Sequence, residues 1–274
     1  MYKLVAIDCD NTLIKHNGEI HQQNVDAINK ILKKGVKVVI ATGRNDILVK
    51  DYMDEAGFIE EVVIGCNGAS IRDLKHNKDI QINYIPKDTM KKIIQICLDN
   101  DIKGKIYNFT ESYSTTKENM GDELKDFFGH YTKQLSFSLE YKYEEDLFKL
   151  IEEKDFLKMV ILEDDKEKLL NIQAKFRQLE EIDAFMAAKN CLDIVKKGVS
   201  KGNAVKHYSK MLGVKPEEVV AIGDSENDLE MLRFAGFSVA MGNAEDFIKE
   251  ACDMVTLTNE EGGVGYAINK IFGL

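Results

Sequence analysis

The chain has 274 residues, more than the usual single domain of about 100–200, so a core with an inserted second domain is expected. Its 37 Lys and Arg stand against 47 Asp and Glu, and the net charge of −10 argues against a polyanion such as nucleic acid as partner. Five scattered cysteines without a CxxC pair argue against a disulfide frame or a zinc site and suit a cytoplasmic protein. No apolar run reaches the roughly 18 residues that cross a bilayer, and Asp8 and Asp10 interrupt any signal-like start, so no membrane partner is expected.

The first predicted element is the apolar strand Leu4-Val5-Ala6-Ile7, which runs directly into Asp8-Cys9-Asp10-Asn11-Thr12. Residues two apart on a strand share a side, so two carboxylates meet at one point and repel unless a cation or a shared proton neutralises them. Val25, Ile28, Ile31 and Leu32 have helical spacing up to Gly35, and Val36 to Ala41 reads as a buried strand ending at Thr42-Gly43-Arg44. A further helix stops near Gly57, and Val62 to Ile64 is a strand leading to Cys66-Asn67-Gly68. Ile80, Ile82 and Tyr84 alternate as in a half-exposed strand.

The pattern changes at Pro86. Met90, Ile93, Ile94, Cys97 and Leu98 mark a helix, whereas Leu135, Phe137, Leu139 and Tyr141 alternate, which predicts an antiparallel sheet with one wet face. Phe156 to Leu162 and Ile182 to Ala187 add strand, separated by a helix carrying Leu169, Ile172, Phe176 and Leu179. This block reads as an α+β insertion over 86–189, leaving a core of 1–85 and 190–274 whose pattern resumes near Cys191-Leu192-Asp193-Ile194. A helix then opens at Ser200, and Val219 to Ile222 is a strand running into Gly223-Asp224-Ser225-Glu226-Asn227-Asp228.

Strand ends and helix starts thus offer Asp8 and Asp10, Thr42, Lys201, and Asp224 with Asn227 and Asp228. In an open parallel sheet, ligands bind beyond the carboxyl ends of the strands, where these groups can converge. Together they supply a carboxylate nucleophile, a second carboxylate for proton transfer, a hydroxyl and an ammonium for phosphate oxygens, and hard oxygen ligands for a cation. Taken alone, Thr42 reads as a helix cap and Lys201 as a surface lysine; only the ordered set points to phosphoryl transfer. Cys9 reads as a small buried hydrophobe.

The motifs Asp8-Cys9-Asp10-Asn11-Thr12, Ala41-Thr42-Gly43-Arg44, Gly198-Val199-Ser200-Lys201-Gly202 and Gly223 to Asp228 resemble, in order and spacing, those of the haloacid dehalogenase superfamily. The resemblance is to its Cof-type subfamily IIB phosphatases, and Asn67-Gly68-Ala69, Met241-Gly242-Asn243-Ala244 and the Thr258 to Tyr266 stretch extend it. Asn11 stands where that branch more often has Gly, and Asn tolerates the same left-handed backbone.

The resemblance implies an α/β fold, a doubly wound (Rossmann-like) parallel sheet core with an inserted α+β cap. It also implies Mg²⁺-dependent hydrolysis of a small phosphorylated metabolite, sugar phosphates foremost, through an aspartyl-phosphate on Asp8. Asp10 would act as acid and then base. Thr42, Gly43, Lys201 and Asn227 would hold phosphate, and Asp8, the carbonyl of Asp10 and Asp224 would hold Mg²⁺. Asp228, Asn243 and Arg44 would support this shell. A phosphomutase shares the same intermediate, and a non-enzymatic phospho-ligand sensor is the rival of another class; a positioned acid/base at Asp10 favours an enzyme.

Overall fold

The computed structural model describes residues 1–58, 62–117 and 139–274, which form two compact units, 1–81 with 200–274 and 82–117 with 139–199. The strands in chain order begin with Leu4–Asp8 (β1), Lys37–Ala41 (β2), Val62–Gly65 (β3), Ser70–Asp73 (β4) and Lys78–Ile82 (β5). Gly104–Tyr107 (β6), Glu111–Ser114 (β7), Glu140–Tyr143 (β8), Lys158–Leu162 (β9), Ile182–Ala188 (β10) and Cys191–Lys196 (β11) follow. Val219–Gly223 (β12), Phe237–Ala240 (β13) and Met254–Val255 (β14) complete the set.

The first unit is an eight-stranded sheet in the order β14-β13-β12-β1-β2-β3-β4-β5. The pairs from β14 to β3 are parallel, and β4 returns antiparallel to β3. β1 as far as Ile7 and β12 throughout are apolar because both faces of the sheet are covered. Alternation sorts their side chains: Val5 and Ile7 join a cluster with the helices Gln22–Lys33 and Gly263–Phe272, while Leu4 and Ala6 join another with Lys201–Met211 and Leu229–Phe234. This is the doubly wound α/β core. The chain leaves β1 toward β2 and β3 and later returns to its other side as β12, so the strand order reverses at β1, where open α/β sheets bind ligands.

Between β3 and β4 the turn Cys66–Gly68 takes left-handed backbone at φ 49°, 56° and 105°. A Cβ on Gly68 would lie 2.3 Å from the Ser200 carbonyl oxygen, so only glycine lets this turn pack on the start of the Lys201–Met211 helix.

The second unit is a six-stranded sheet, β10-β11-β9-β6-β7-β8, backed on one face by the helices Lys87–Asp99, Leu147–Glu153 and Lys166–Phe176. Two expectations are corrected. Cys191 to Ile194 does not resume the core: it lies in β11, an interior strand paired with β10 and β9, so its near-solid burial reflects a second sheet. The sheet is antiparallel except that β8 pairs parallel with β7. Leu135 and Phe137 lie outside the described residues. Among those described, no helix is long and apolar enough to cross a membrane.

Glu111 at the head of β7 accepts bonds from Lys142 at 2.6 Å and from Lys154 at 2.5 Å. Those bonds hold its carboxyl down to about 2. A carboxyl depressed in the fold stabilises it above the unfolded value, and the contribution is lost as pH falls toward the folded one. Glu111→Gln is therefore expected to lower the urea midpoint at pH 7, with the gap to wild type closing as pH falls from about 5 toward 2; a gap independent of pH would contradict this.

Candidate active site

The sheet register builds the site. Asp8 ends β1 opposite Ala41, so Thr42 follows on one side; Ile7 lies opposite Ile222, so Gly223 and Asp224 follow on the other. Carboxylate oxygens of Asp8, Asp224 and Asp228 then lie within 4.8 Å of one another. Gly223 makes room for this, because a Cβ there would fall 2.7 Å from the Asp228 side chain.

Lys201, only 2% exposed, reaches this cluster from the first position of a helix capped by the Ser200 side chain. Its ammonium donates to Asp8 at 2.5 Å and to Asp228 at 2.7 Å. Burial works against the ammonium, but Asp228 and Asp8 outweigh it and raise its pKa above the ordinary lysine value. Burial and then Asp228 push the Asp8 carboxyl well above its usual range, which Lys201 only partly offsets. The same two causes bring Asp224 up to about 6.

Three carboxylates against one ammonium leave two uncompensated negative charges, and a divalent cation brings the cluster to neutrality. The oxygen-only donor set suits a hard cation such as Mg²⁺. Both oxygens of Asp228 are already engaged, Oδ1 by Lys201 and Oδ2 by the backbone N–H groups of Asp224 and Ser225 at 3.0 and 3.1 Å. Asp8 and Asp224 are accordingly the better-placed carboxylate ligands, and Asp228 orients the lysine and the loop.

Asp10 stands apart from this cluster. Its carboxylate accepts from Arg44 Nε at 3.0 Å and from the terminal nitrogen at 2.5 Å. Arg44 is buried with its guanidinium 5.8 Å from the Tyr52 ring centroid. Burial opposes the Arg44 charge, but Asp10 overrides it and raises the arginine pKa. Two carboxylates two residues apart thus sit in different surroundings, the pattern that separates a nucleophile from an acid/base.

A profile of the haloacid dehalogenase-like hydrolases matches residues 5–268. The chain belongs to this family. Phosphatase YwpJ of Bacillus subtilis is 31% identical over 293 residues, covering 98% of this chain and 99% of that protein. From the same organism, 5-amino-6-(5-phospho-D-ribitylamino)uracil phosphatase YwtE is 27% identical over 285 residues, covering 98% of each. The structure of a haloacid dehalogenase-like hydrolase from B. subtilis superposes with a TM-score of 0.84 at 30% identity, covering 97% of this chain and 99% of the other. One from Bacteroides thetaiotaomicron gives 0.86 at 27%, covering 99% and 100%.

In this haloacid dehalogenase-like hydrolase Thr42 is fully buried, and its hydroxyl accepts the Arg44 backbone N–H at 3.0 Å. Gly43 keeps the backbone beside Asn67 open, since a Cβ would meet the Asn67 oxygen at 3.1 Å. Asn227 donates to Asn67 at 3.2 Å, and its own amide oxygen lies 3.4 Å from the Lys201 ammonium. Asn243 donates to the Asn11 carbonyl at 2.8 Å, on the turn after β1 rather than at the carboxylates.

Residue-by-residue reading left Thr12, Tyr52 and Asn259 without roles. Thr12 donates to Asp224 at 2.9 Å and ties the two acidic strand ends together. Its position in the first motif was the signal available, as the Thr258 to Tyr266 stretch was for Asn259; Tyr52 carries none in its immediate neighbours.

Removing the ammonium should expose the charge imbalance. Lys201→Met is expected to lower the unfolding free energy by about 3 kcal/mol or more, the order found when one partner of a buried ion pair is deleted. Urea denaturation at pH 7 measures it, and a loss below about 1 kcal/mol would show that Lys201 does not carry the compensation assigned to it.

Proposed function

We propose that this chain is a Mg²⁺-dependent phosphatase that hydrolyses a small phosphate monoester through an aspartyl-phosphate on Asp8. The observation carrying this reading is the division of labour between the two early carboxylates, Asp8 beside Lys201 in the acidic cluster and Asp10 on Arg44 outside it. The cation would be held by Asp8, Asp224 and the Asp10 carbonyl and would supply charge neutralisation for the phosphoryl oxygens.

A carboxylate oxygen of Asp8 attacks phosphorus as the ester P–O bond breaks, and Asp10 gives its proton to the departing alkoxide. Asp10, now ionised, takes a proton from water as that water attacks phosphorus. The Asp8–phosphate bond breaks, and inorganic phosphate leaves. Lys201, Thr42 and Asn227 balance charge on the equatorial oxygens during both transfers.

The leading substrates are small phosphorylated metabolites whose organic part is a sugar or polyol. A curated relative named for a ribityl phosphate supports that class, and the acidic surface disfavours nucleic acid. The inserted unit, with its own sheet and apolar core, is proposed to read the organic part while the first unit handles phosphate.

EDTA is expected to abolish phosphate release from a panel of monoesters, and Mg²⁺ to restore it. Asp8→Asn should lower turnover by about 10⁴-fold or more and trap no phosphoenzyme, while Asp10→Asn should slow both formation and breakdown of the intermediate by about 10²-fold to 10⁴-fold. Near-wild-type turnover of Asp8→Asn, with deamidation excluded by mass spectrometry, would overturn the covalent route.

A further inference from the structure

The turn bearing Asp10 is held from the far end of the chain. Leu13 and Ile14 donate their N–H groups to the Cys9 carbonyl at 3.0 and 2.9 Å, and Asn11 sits in left-handed backbone at φ 57°. Ile14 also bridges to Asp10. This tight turn leaves carbonyls free of it, and Asn259 reaches one of them directly and a second through Asn243. Its side-chain amide donates to the Ile14 carbonyl at 3.1 Å. Its backbone N–H donates at 3.0 Å to Asn243, whose own amide donates at 2.8 Å to the Asn11 carbonyl. Asn259 is 1% exposed, and the neighbouring Glu260 binds the His16 backbone N–H at 2.7 Å.

We propose that Asn259 is a positioning residue for the acid/base: it fixes both ends of the Asp10–Ile14 turn and so sets where the Asp10 carboxylate meets the leaving group. A buried amide whose NH2 group donates to a main-chain carbonyl is held in one orientation, and among the described residues its oxygen makes no hydrogen bond. The geometry therefore serves the turn. Asn259 touches none of Asp8, Asp224 or Lys201, so it should act on proton delivery and not on nucleophilic attack.

This rests on the proposed phosphatase reading, and the two fail in different ways. Steady-state kinetics would compare wild type, Asn259→Leu and Asn259→Asp on an alkyl phosphate, whose leaving group needs a proton, and on p-nitrophenyl phosphate, whose leaving group needs almost none. The expected result is a fall in kcat/KM of about 10-fold to 100-fold on the alkyl ester, of the order a 1 Å misplacement produces, and less than about threefold on the aryl ester, because kcat/KM reports formation of the phosphoenzyme and not its breakdown, which both esters share. In an Asp10→Asn background the Asn259 substitutions should add little further loss, because both act through one proton.

Thr256→Val serves as a structural control. It removes a buried bond to the Gly263 carbonyl in the same C-terminal segment, a bond that does not involve the turn, and should leave the alkyl-to-aryl ratio unchanged. Equal losses in kcat/KM on both esters, or a ratio shifted as far by Thr256→Val, would overturn the proposal. Absence of phosphatase activity in wild type would instead overturn the functional reading. If Asn259→Leu does not fold, Asn243→Ala tests the same relay at its exposed link and is expected to shift the ratio in the same direction, an unchanged ratio counting against the proposal.

Discussion

The crowding of three carboxylates around one buried ammonium is the constraint on which the rest of this molecule depends. Two unit charges within 4.8 Å repel by roughly 3–4 kcal/mol at an effective dielectric near 20. No fold would collect Asp8, Asp224 and Asp228 for stability alone. Parallel register makes the gathering possible: β1 lies between β12 and β2, so the chain beyond each strand end emerges at one edge of the sheet. The apolar strands behind are covered on both faces, and that burial offsets the repulsion concentrated at their tips.

Much of this was legible in the sequence, because the relevant signals are local. Apolar runs ending in Asp8, Thr42 and Asp224 announce strand ends that carry oxygen groups, and the helix spacing between them announces crossovers. The pairing Asp8↔Ala41 and Ile7↔Ile222 turns that local order into a three-dimensional site. What resisted reading depends on partners distant in the chain. Cys191 to Ile194 looks the same whether its neighbour is a parallel core strand or an antiparallel insertion strand, since a mostly apolar run records burial and not the sheet that provides it. The parallel pairing of β8 with β7 was hidden similarly, because alternation reports wet and dry faces but carries no strand direction.

The acidic groups show the same limit. Spacing alone makes Asp8 and Asp10 look like a matched pair facing one ion, but the strand ends at Asp8 and the turn closes on the Cys9 carbonyl. Asp10 therefore leaves the strand's alternation and meets Arg44, while Asp228, four residues beyond Asp224, folds back through a short helical turn to take its place in the cluster. Alternation is a property of extended chain, and it ceases to predict direction where a functional loop begins.

That departure separates two demands a catalytic carboxylate pair must meet together. The proposed nucleophile has to be desolvated, oriented and charge-balanced, which the buried position of Asp8 beside Lys201 provides. The proposed acid/base has to exchange protons and change partners, which favours a carboxylate on a turn, 32% exposed, with an arginine to return to. Strand and turn are joined across Cys9, a side chain wholly inside the core. The packing of one small residue thus anchors the junction, while main-chain carbonyls further along the turn are left for amides such as Asn243 and Asn259 to hold from outside.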